Sequence, residues 1–258
     1  MATALVRKPT PSIVRAISQH PEKHTINYER ARDQHHQYVA VLESSGAKVI
    51  HLPQLNDYPD AVFIEDTAVT VEDKAYLCSM GAKSRHSEGL SVLRVLEKLL
   101  PVETIDSPIM LDGGDVLQTE EILFMGLSTR TNQQAIDFFR SRVSKTVISV
   151  PVSNCLHLKT AATYIGQDTL IVDPQRIDLS IFSNFKKIEI TPEESYSTNV
   201  LAIGDSIIMA EGYPRLSGIL ASRGFKVLTT PMSEFEKADG GITCLSLILP
   251  NQITSTFS

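Results

Sequence analysis

Cysteine is scarce in this 258-residue chain, and its three copies, Cys78, Cys155 and Cys244, form no CxxC pair. An odd count without ligand spacing argues against a disulfide framework or a metal site, and points to a reducing, cytoplasmic setting. Long apolar runs are missing too. No stretch approaches the roughly 18 residues of a membrane span, and the opening MATALVRKPTPSIVRAI lacks the apolar centre of a signal peptide. Lysine and arginine form no long run. With a net charge of −6 spread over interspersed residues, the chain has no basic run to neutralise successive phosphates, which disfavours nucleic acid as a partner. The acidic balance suits a small cationic ligand better. Linkers and low-complexity stretches are absent, so residues 1–258 are expected to form one domain, with 42% hydrophobic residues to fill its core.

What is present is a recurring order of elements: two short strands around a turn, an amphipathic helix, and a return strand. One unit begins at TAVTVEDKAYLC (67–78). Its helix is expected over HSEGLSVLRVLEKLL (86–100), with Leu90, Leu93, Val95, Leu96 and Leu99 on the apolar face and Pro101 as the stop before VETI. The second runs through DVLQTEEILFMGL, the helix TNQQAIDFFRSRV with Thr131 as N-cap, and TVISVPV. TAATYIGQDTLIV, a shorter helical segment near IDLSIFSNF, and KIEI make the third. The fourth is NVLAIGDSIIMA, YPRLSGILASRG closed by Gly224, and KVLTT. The chain ends supply a fifth, in which CLSLILP pairs with PSIVRAI before the helix YERARDQHHQYVAVLESSG and the strand KVIHLP. Five units at roughly 40–55 residue intervals predict a five-bladed, pseudo-symmetric α/β propeller of ββαβ modules, with a mixed α/β sandwich as the alternative.

The chemically suggestive residues occupy one place in this repeat, just before each first strand. They are Asp66, Asp112, His157, Asn199 and Cys244, about 45 residues apart, so a ring would turn all five towards a common axis. Each has a plainer reading. Free cysteine is commonly buried packing, a lone histidine is commonly structural, and Asp-Gly commonly starts a turn. Set together, Cys244 is a candidate nucleophile, His157 a general acid and base, and Asp112 the carboxylate that orients the imidazole. Cys78 and Cys155 are read as structural.

Between Asp60 and Asp66 the segment DAVFIED places three carboxylates, Asp60, Glu65 and Asp66, beside Phe63 among apolar neighbours. An unpaired carboxylate drawn inward is costly, and a bound cation would relieve it. A planar guanidinium matches carboxylates bidentately and is a natural guest for Asp66 and Asp112. Arg85 in GAKSRHSE and Arg130 in LSTRTN each stand near a helix start, where a cation is mildly disfavoured, so a ligand carboxylate is a reason for them to be there.

The ordered segments FIEDTAV, GAKSRHSE, LDGGDVL, GLSTRTNQ, VPVSNCLHLKT and MSEFEKADGGITCLS, with the early IVRAI, resemble the dimethylarginine dimethylaminohydrolases of the guanidine-modifying, or pentein, superfamily. The resemblance spans almost the whole chain. It implies cysteine-dependent hydrolysis of ω-methylated arginine to citrulline and a methylamine, with no cofactor and no metal. It further implies Cys244 as nucleophile, His157 as acid/base and Asp112 as its partner. Asp66 would hold the guanidinium with Glu65 nearby and Phe63 packed against it, Asp60 would meet the α-amino group, and Arg85 and Arg130 the α-carboxylate. The backbone around Ala238 would line the pocket. The segment AISQHPEKHTINYERARD is shorter than the lid that the resemblance leads one to expect, and its lid leucine has no clear counterpart. Alternatives are a hydrolase of hydroxyarginine, a short arginine deiminase, or a non-catalytic propeller acting as a binding module. A homodimer is an open expectation.

Overall fold

The computed structural model describes residues 2–249. Met1 and Pro250, the latter closing the expected strand CLSLILP, lie outside the described residues, as does the rest of the expected domain beyond Pro250.

Strand β1 (Thr3–Val6), helix α1 (Tyr28–Ser44) and strand β2 (Lys48–His51) open the chain. They are followed by β3 (Ala68–Val71), β4 (Lys74–Leu77), α2 (Leu90–Leu96) and β5 (Val102–Thr104). Next come β6 (Val116–Gln118), β7 (Ile122–Leu127), α3 (Gln133–Arg140) and β8 (Thr146–Pro151). The short α4 (Leu158–Ala161) leads into β9 (Ala162–Tyr164), β10 (Thr169–Val172) and β11 (Lys186–Glu189). Then follow β12 (Leu201–Ile203), β13 (Ser206–Ala210), α5 (Pro214–Ser222), β14 (Lys226–Thr230), α6 (Ser233–Glu236) and β15 (Ser246–Leu249).

These strands form five three-stranded sheets. In each, the middle strand runs antiparallel to one neighbour and parallel to the other, as a hairpin followed by a helical crossover requires. Between β10 and β11 the crossover is only a 3₁₀ turn, Leu179–Phe182, matching the shorter helix expected there. β15 pairs with β1 and closes the ring with the two ends of the described chain. Residues of β3, β6, β9, β12 and β15 line one central cavity of about 460 Å³, so the five innermost strands face a common axis. Apolar clusters fill the spaces between blades. Val69 and Tyr76 of one blade pack with Met125 and Phe139 of the next, and the Phe124 and Phe182 rings meet at 4.9 Å.

Local sequence accounts for the boundaries. Asn27 caps α1 by accepting from the Arg30 amide at 3.0 Å, and Ala31, His35, Tyr38 and Leu42 bury the helix face at helical spacing. Gly224, at φ +90°, takes the left-handed position that ends α5.

Three expectations are corrected. The first-blade partner of β15 is Thr3–Val6, and PSIVR forms a 3₁₀ helix with Pro11 at its start. Proline has no N–H for a ladder, and Val14 and Ile17 are exposed while all four residues of TALV are buried. The expected 86–100 helix is a 3₁₀ turn over Lys83–Gly89 that continues into the seven-residue α2, with Leu90 exposed and Val92 and Leu96 inward. Thr131 is not the cap of α3. Asn132 accepts from the Ala135 amide at 3.1 Å, while the Thr131 hydroxyl accepts from the Asp112 amide at 3.2 Å. No helix among the described residues is long and apolar enough to cross a membrane.

Candidate active site

Each innermost strand is entered through a short helical segment, and the residue singled out by the repeat lies in that segment or directly beside it. Asp66 lies in Ile64–Thr67 and Cys244 in Thr243–Leu245. Asp112 and His157 stand at the N-caps of Gly113–Asp115 and α4, and Asn199 follows Pro192–Thr198. The repeat thus sets five side chains at one mouth of the ring.

His157 is buried between two carboxylates. Its Nε2 lies 3.0 Å from Asp112 Oδ2, and its Nδ1 lies 3.8 Å from Asp66 Oδ1. Burial by itself would lower the imidazole, but the Asp66 charge, the Asp112 hydrogen bond and the Asp115 charge outweigh it and raise His157 to about 9. The imidazolium is the resting form at neutral pH. For Asp66, burial pulls upward, and the His157 and Arg85 charges together with the Gly114 amide hold the carboxyl below its usual value. The glycines of the GGD motif make this approach possible. A Cβ at Gly114 would stand 2.5 Å from His157 Nδ1, and one at Gly113 would collide with the Glu65 carbonyl oxygen.

Neither Asp66 nor Asp112 is short of a cation, contrary to the expectation from the sequence. Arg85 Nη1 donates to Asp66 Oδ2 at 2.7 Å, and its Nε donates to Glu88 at 3.1 Å. Its Nη2 donates to the carbonyls of Phe63 and Asp60. Arg130 Nη1 donates to Asp112 Oδ2 at 3.3 Å. Lys159, two residues after His157, bonds Glu65 at 2.5 Å, and the Thr243 hydroxyl donates to the other Glu65 oxygen at 2.7 Å. Asp66, Asp112 and His157 offer ligand atoms within 4.8 Å of one another, but the two arginines already neutralise both carboxylates, so the set does not fit a cation well.

Asp60, Phe63, Asp66, Arg85, Arg130, His157, Ala238 and Cys244 line one small cavity, so eight of the ten expected site residues meet there. Asp112 stands behind His157, and Glu65 faces the central cavity with Lys159 and Thr243. The small cavity measures about 20 Å³, room for roughly one water. Ile17 covers it. The Ile17 amide donates to Asp60 Oδ1 at 3.0 Å, the Gln19 amide to Asp239 at 2.6 Å, and the Ser18 hydroxyl to the Lys237 carbonyl at 2.8 Å. The Cys244 sulfur accepts from the Gly241 amide at 3.3 Å, yet burial first, and then the Glu65 and Asp66 charges, push its thiol well above the usual range. Cys244 is a thiol in the closed site.

Sequence reasoning missed Ile17, Leu156 and Asp239, which line the cavity, and Asp115, whose buried carboxylate accepts from the Leu158 amide at 2.9 Å. The partner of Glu65 was legible in principle: a glutamate flanked by apolar residues needs a cation, and Lys159 sits in the same LHLKT segment as His157. Asn199 falls in register but is consumed structurally, bonding the Lys159 carbonyl and the Thr243 amide.

A ring of five ββαβ blades with its reactive side chains at the blade entrances is a pentein-type α/β propeller. A family model described as N,N dimethylarginine dimethylhydrolase, eukaryotic, matches residues 8–246. The chain is 34% identical to the N(G),N(G)-dimethylarginine dimethylaminohydrolase of Streptomyces coelicolor, over 95% of this chain and 96% of that one. Identity to the Pseudomonas aeruginosa enzyme of the same name is 31%, over 94% and 97%. The structure of a cysteine-to-serine mutant of the P. aeruginosa protein, complexed with citrulline, superposes with a TM-score of 0.87 at 29% identity, covering 96% of this chain and 98% of that one. The chain belongs to the dimethylarginine dimethylaminohydrolase family, and with it to the hydrolases that act on C–N bonds.

Proposed function

We propose that this protein hydrolyses ω-methylated arginine to citrulline and methylamine or dimethylamine through a covalent adduct on Cys244. The observation that carries this reading is the shared cavity. A sulfur, an imidazolium and the Asp66 carboxylate line it together with Arg85, Arg130 and Asp60, which supply charges that an amino acid's own carboxylate and ammonium would meet. Arg130 makes one side-chain ion pair and is the less committed of the two arginines. The relatives named as dimethylarginine dimethylaminohydrolases support the same substrate class. Since the closed cavity has room for about one water, the segment carrying Ile17 must lift from Asp60 and Asp239 to admit substrate.

The resting charges set the sequence of proton moves. His157 is already protonated and cannot take the thiol proton. The arriving guanidinium adds positive charge beside Cys244, opposes the carboxylates that hold the thiol neutral, and lets its proton pass to solvent. The thiolate then attacks the guanidinium carbon and forms an S–C bond. His157 gives its proton to the methylated nitrogen, the C–N bond breaks, and the amine leaves a thiouronium adduct. Neutral His157 next takes a proton from water as its oxygen attacks the same carbon. The S–C bond breaks, the extra proton of the ureido group passes to the departing Cys244 sulfur, and citrulline is released with the thiol and the imidazolium restored. Asp112 keeps the ring oriented throughout. The three cysteines are all free, which suits a reducing cytoplasm, and closure of the ring by β15 on β1 suits one catalytic unit.

Product analysis over methylated arginines, hydroxyarginine and arginine tests the reading. Wild type should yield citrulline with methylamine or dimethylamine, and Cys244→Ser should yield neither. Ammonia from arginine as the dominant co-product would make the protein a deiminase, and hydroxylamine from hydroxyarginine would move the substrate accordingly.

A further inference from the structure

A second and much larger cavity, about 670 Å³, opens on the same sulfur. It shares Cys244, Leu156, Asp239 and Gly240 with the small cavity, whereas His157, Asp66, Arg85 and Arg130 belong to the small one alone. Cys244 therefore stands in the wall between two chambers. The small chamber has the charges of an amino acid's binding site. The large one has different chemistry.

Tyr196 and Tyr213 line the large chamber, with ring centroids 6.3 Å apart and planes inclined at 37°. Tyr196 is held in place by donating its hydroxyl to the Gly240 carbonyl at 2.7 Å. Glu236, the last residue of α6, lines the same chamber, and its charge reaches both phenols. The neighbouring Glu234 is fully engaged, with Lys237 and the Asn27 amide. Glu236 is half-buried and makes no salt bridge among the described residues; burial raises its carboxyl, and the charge of His20, which lines the same chamber, opposes that rise. The chamber's arginine, Arg176, is paired with Asp173 at 3.1 Å. Two aromatic faces beside an unpaired carboxylate form a site for an alkylammonium ion, whose methyl groups pack on the rings while its charge meets the quadrupoles and the carboxylate.

We propose that this chamber is the alkylamine subsite: it receives the N-methyl groups of the bound guanidinium and then the methylammonium or dimethylammonium ion that departs from Cys244. The proposal rests on the reading above that a methylated guanidinium is cleaved. The amine leaves with the proton from His157 and takes a second proton from solvent, so that a cation forms next to Glu236. An exit on this side lets the amine depart without passing the citrulline half, which the Ile17 segment still covers. A water can then reach the thiouronium carbon from the same chamber.

Dimethylammonium chloride is the direct probe. Saturation-transfer NMR should show its methyl protons bound to wild-type protein, with binding weakened about tenfold in Glu236→Gln and likewise in Tyr213→Ala. No transfer with wild type, or equal transfer in all three proteins, would overturn the subsite. In kinetics, product inhibition of dimethylarginine turnover by added dimethylammonium should weaken about tenfold in Glu236→Gln. Equal inhibition of wild type and variant would overturn it as well. If wild type does not cleave dimethylarginine, the proposed reaction fails, and the NMR titration still decides whether the chamber takes an alkylammonium ion.

Discussion

Arg130 and His157 meet on a single oxygen, Asp112 Oδ2, at 3.3 and 3.0 Å. The same carboxylate accepts from the Gly81 amide through its other oxygen at 2.8 Å. Asp112 thus couples Arg130, to which the proposed function gives the substrate's α-carboxylate, to the imidazole to which it gives the proton transfers. Asp112→Asn removes the charge from both. The expected result is a fall in kcat of roughly 10²–10⁴-fold, in the range that acid–base catalysis contributes, together with a weaker hold on substrates bearing an α-carboxylate. Steady-state kinetics on a carboxylate-bearing and a carboxylate-free substrate separate the two losses. An unchanged kcat would remove Asp112 from the acid–base pair.

His157 ties stability to pH. Its pKa rises from an ordinary 6.5 to about 9 in the folded chain, so the imidazolium contributes stability that is complete below about 6.5 and lost as pH climbs through 9. Relative to His157→Gln, wild type should lose up to about 3 kcal/mol across that window. Urea denaturation at pH 6, 7.5 and 9.5 measures it, and parallel pH curves for the two proteins would contradict the charged resting state.

Glu65 and Lys159 form a nearly buried pair, with side chains 10% and 15% exposed. Lys159→Met leaves the glutamate charge without its cation and should cost about 3 kcal/mol or more. Lys159→Met with Glu65→Gln should recover most of that. A double-mutant cycle in urea gives both values, and simple additivity would mean that the pair is not coupled.

Gly114→Ala tests why the second residue of the GGD motif is glycine. A Cβ there would lie 2.5 Å from His157 Nδ1 and 3.0 Å from Asp66 Oδ1, so the imidazole must shift. A displacement of that size costs on the order of 100-fold in rate. Circular dichroism should show the fold retained, and full activity in the variant would mean that the imidazole has more latitude than its packing implies.

The ring and the placement of its reactive residues were legible because both rest on spacing. A helical segment that recurs before each innermost strand leaves Asp66, Asp112, His157 and Cys244 at one mouth of the ring whatever the blades contain. Pairing choices inside the site were less legible. Arg85 is read from the chain as a ligand for a substrate carboxylate, yet it is buried against Asp66 and Glu88, because a carboxylate drawn inward takes whichever cation the fold brings near. Periodicity also misled at PSIVRAI, where an apolar pattern reads as a strand but Pro11 opens a 3₁₀ helix instead. Ile17 carried no signal of its own, since its role comes from the backbone amide that reaches Asp60.

Rapid quenching of wild type mixed with dimethylarginine, followed by mass mapping of the cysteine-containing peptides, is the most direct test of covalent catalysis. A thiouronium adduct should appear on the Cys244 peptide within the first turnover and decay as citrulline accumulates, while the peptides carrying Cys78 and Cys155 stay unmodified. Citrulline forming at full rate with no adduct on Cys244, and equally in Cys244→Ser, would contradict it.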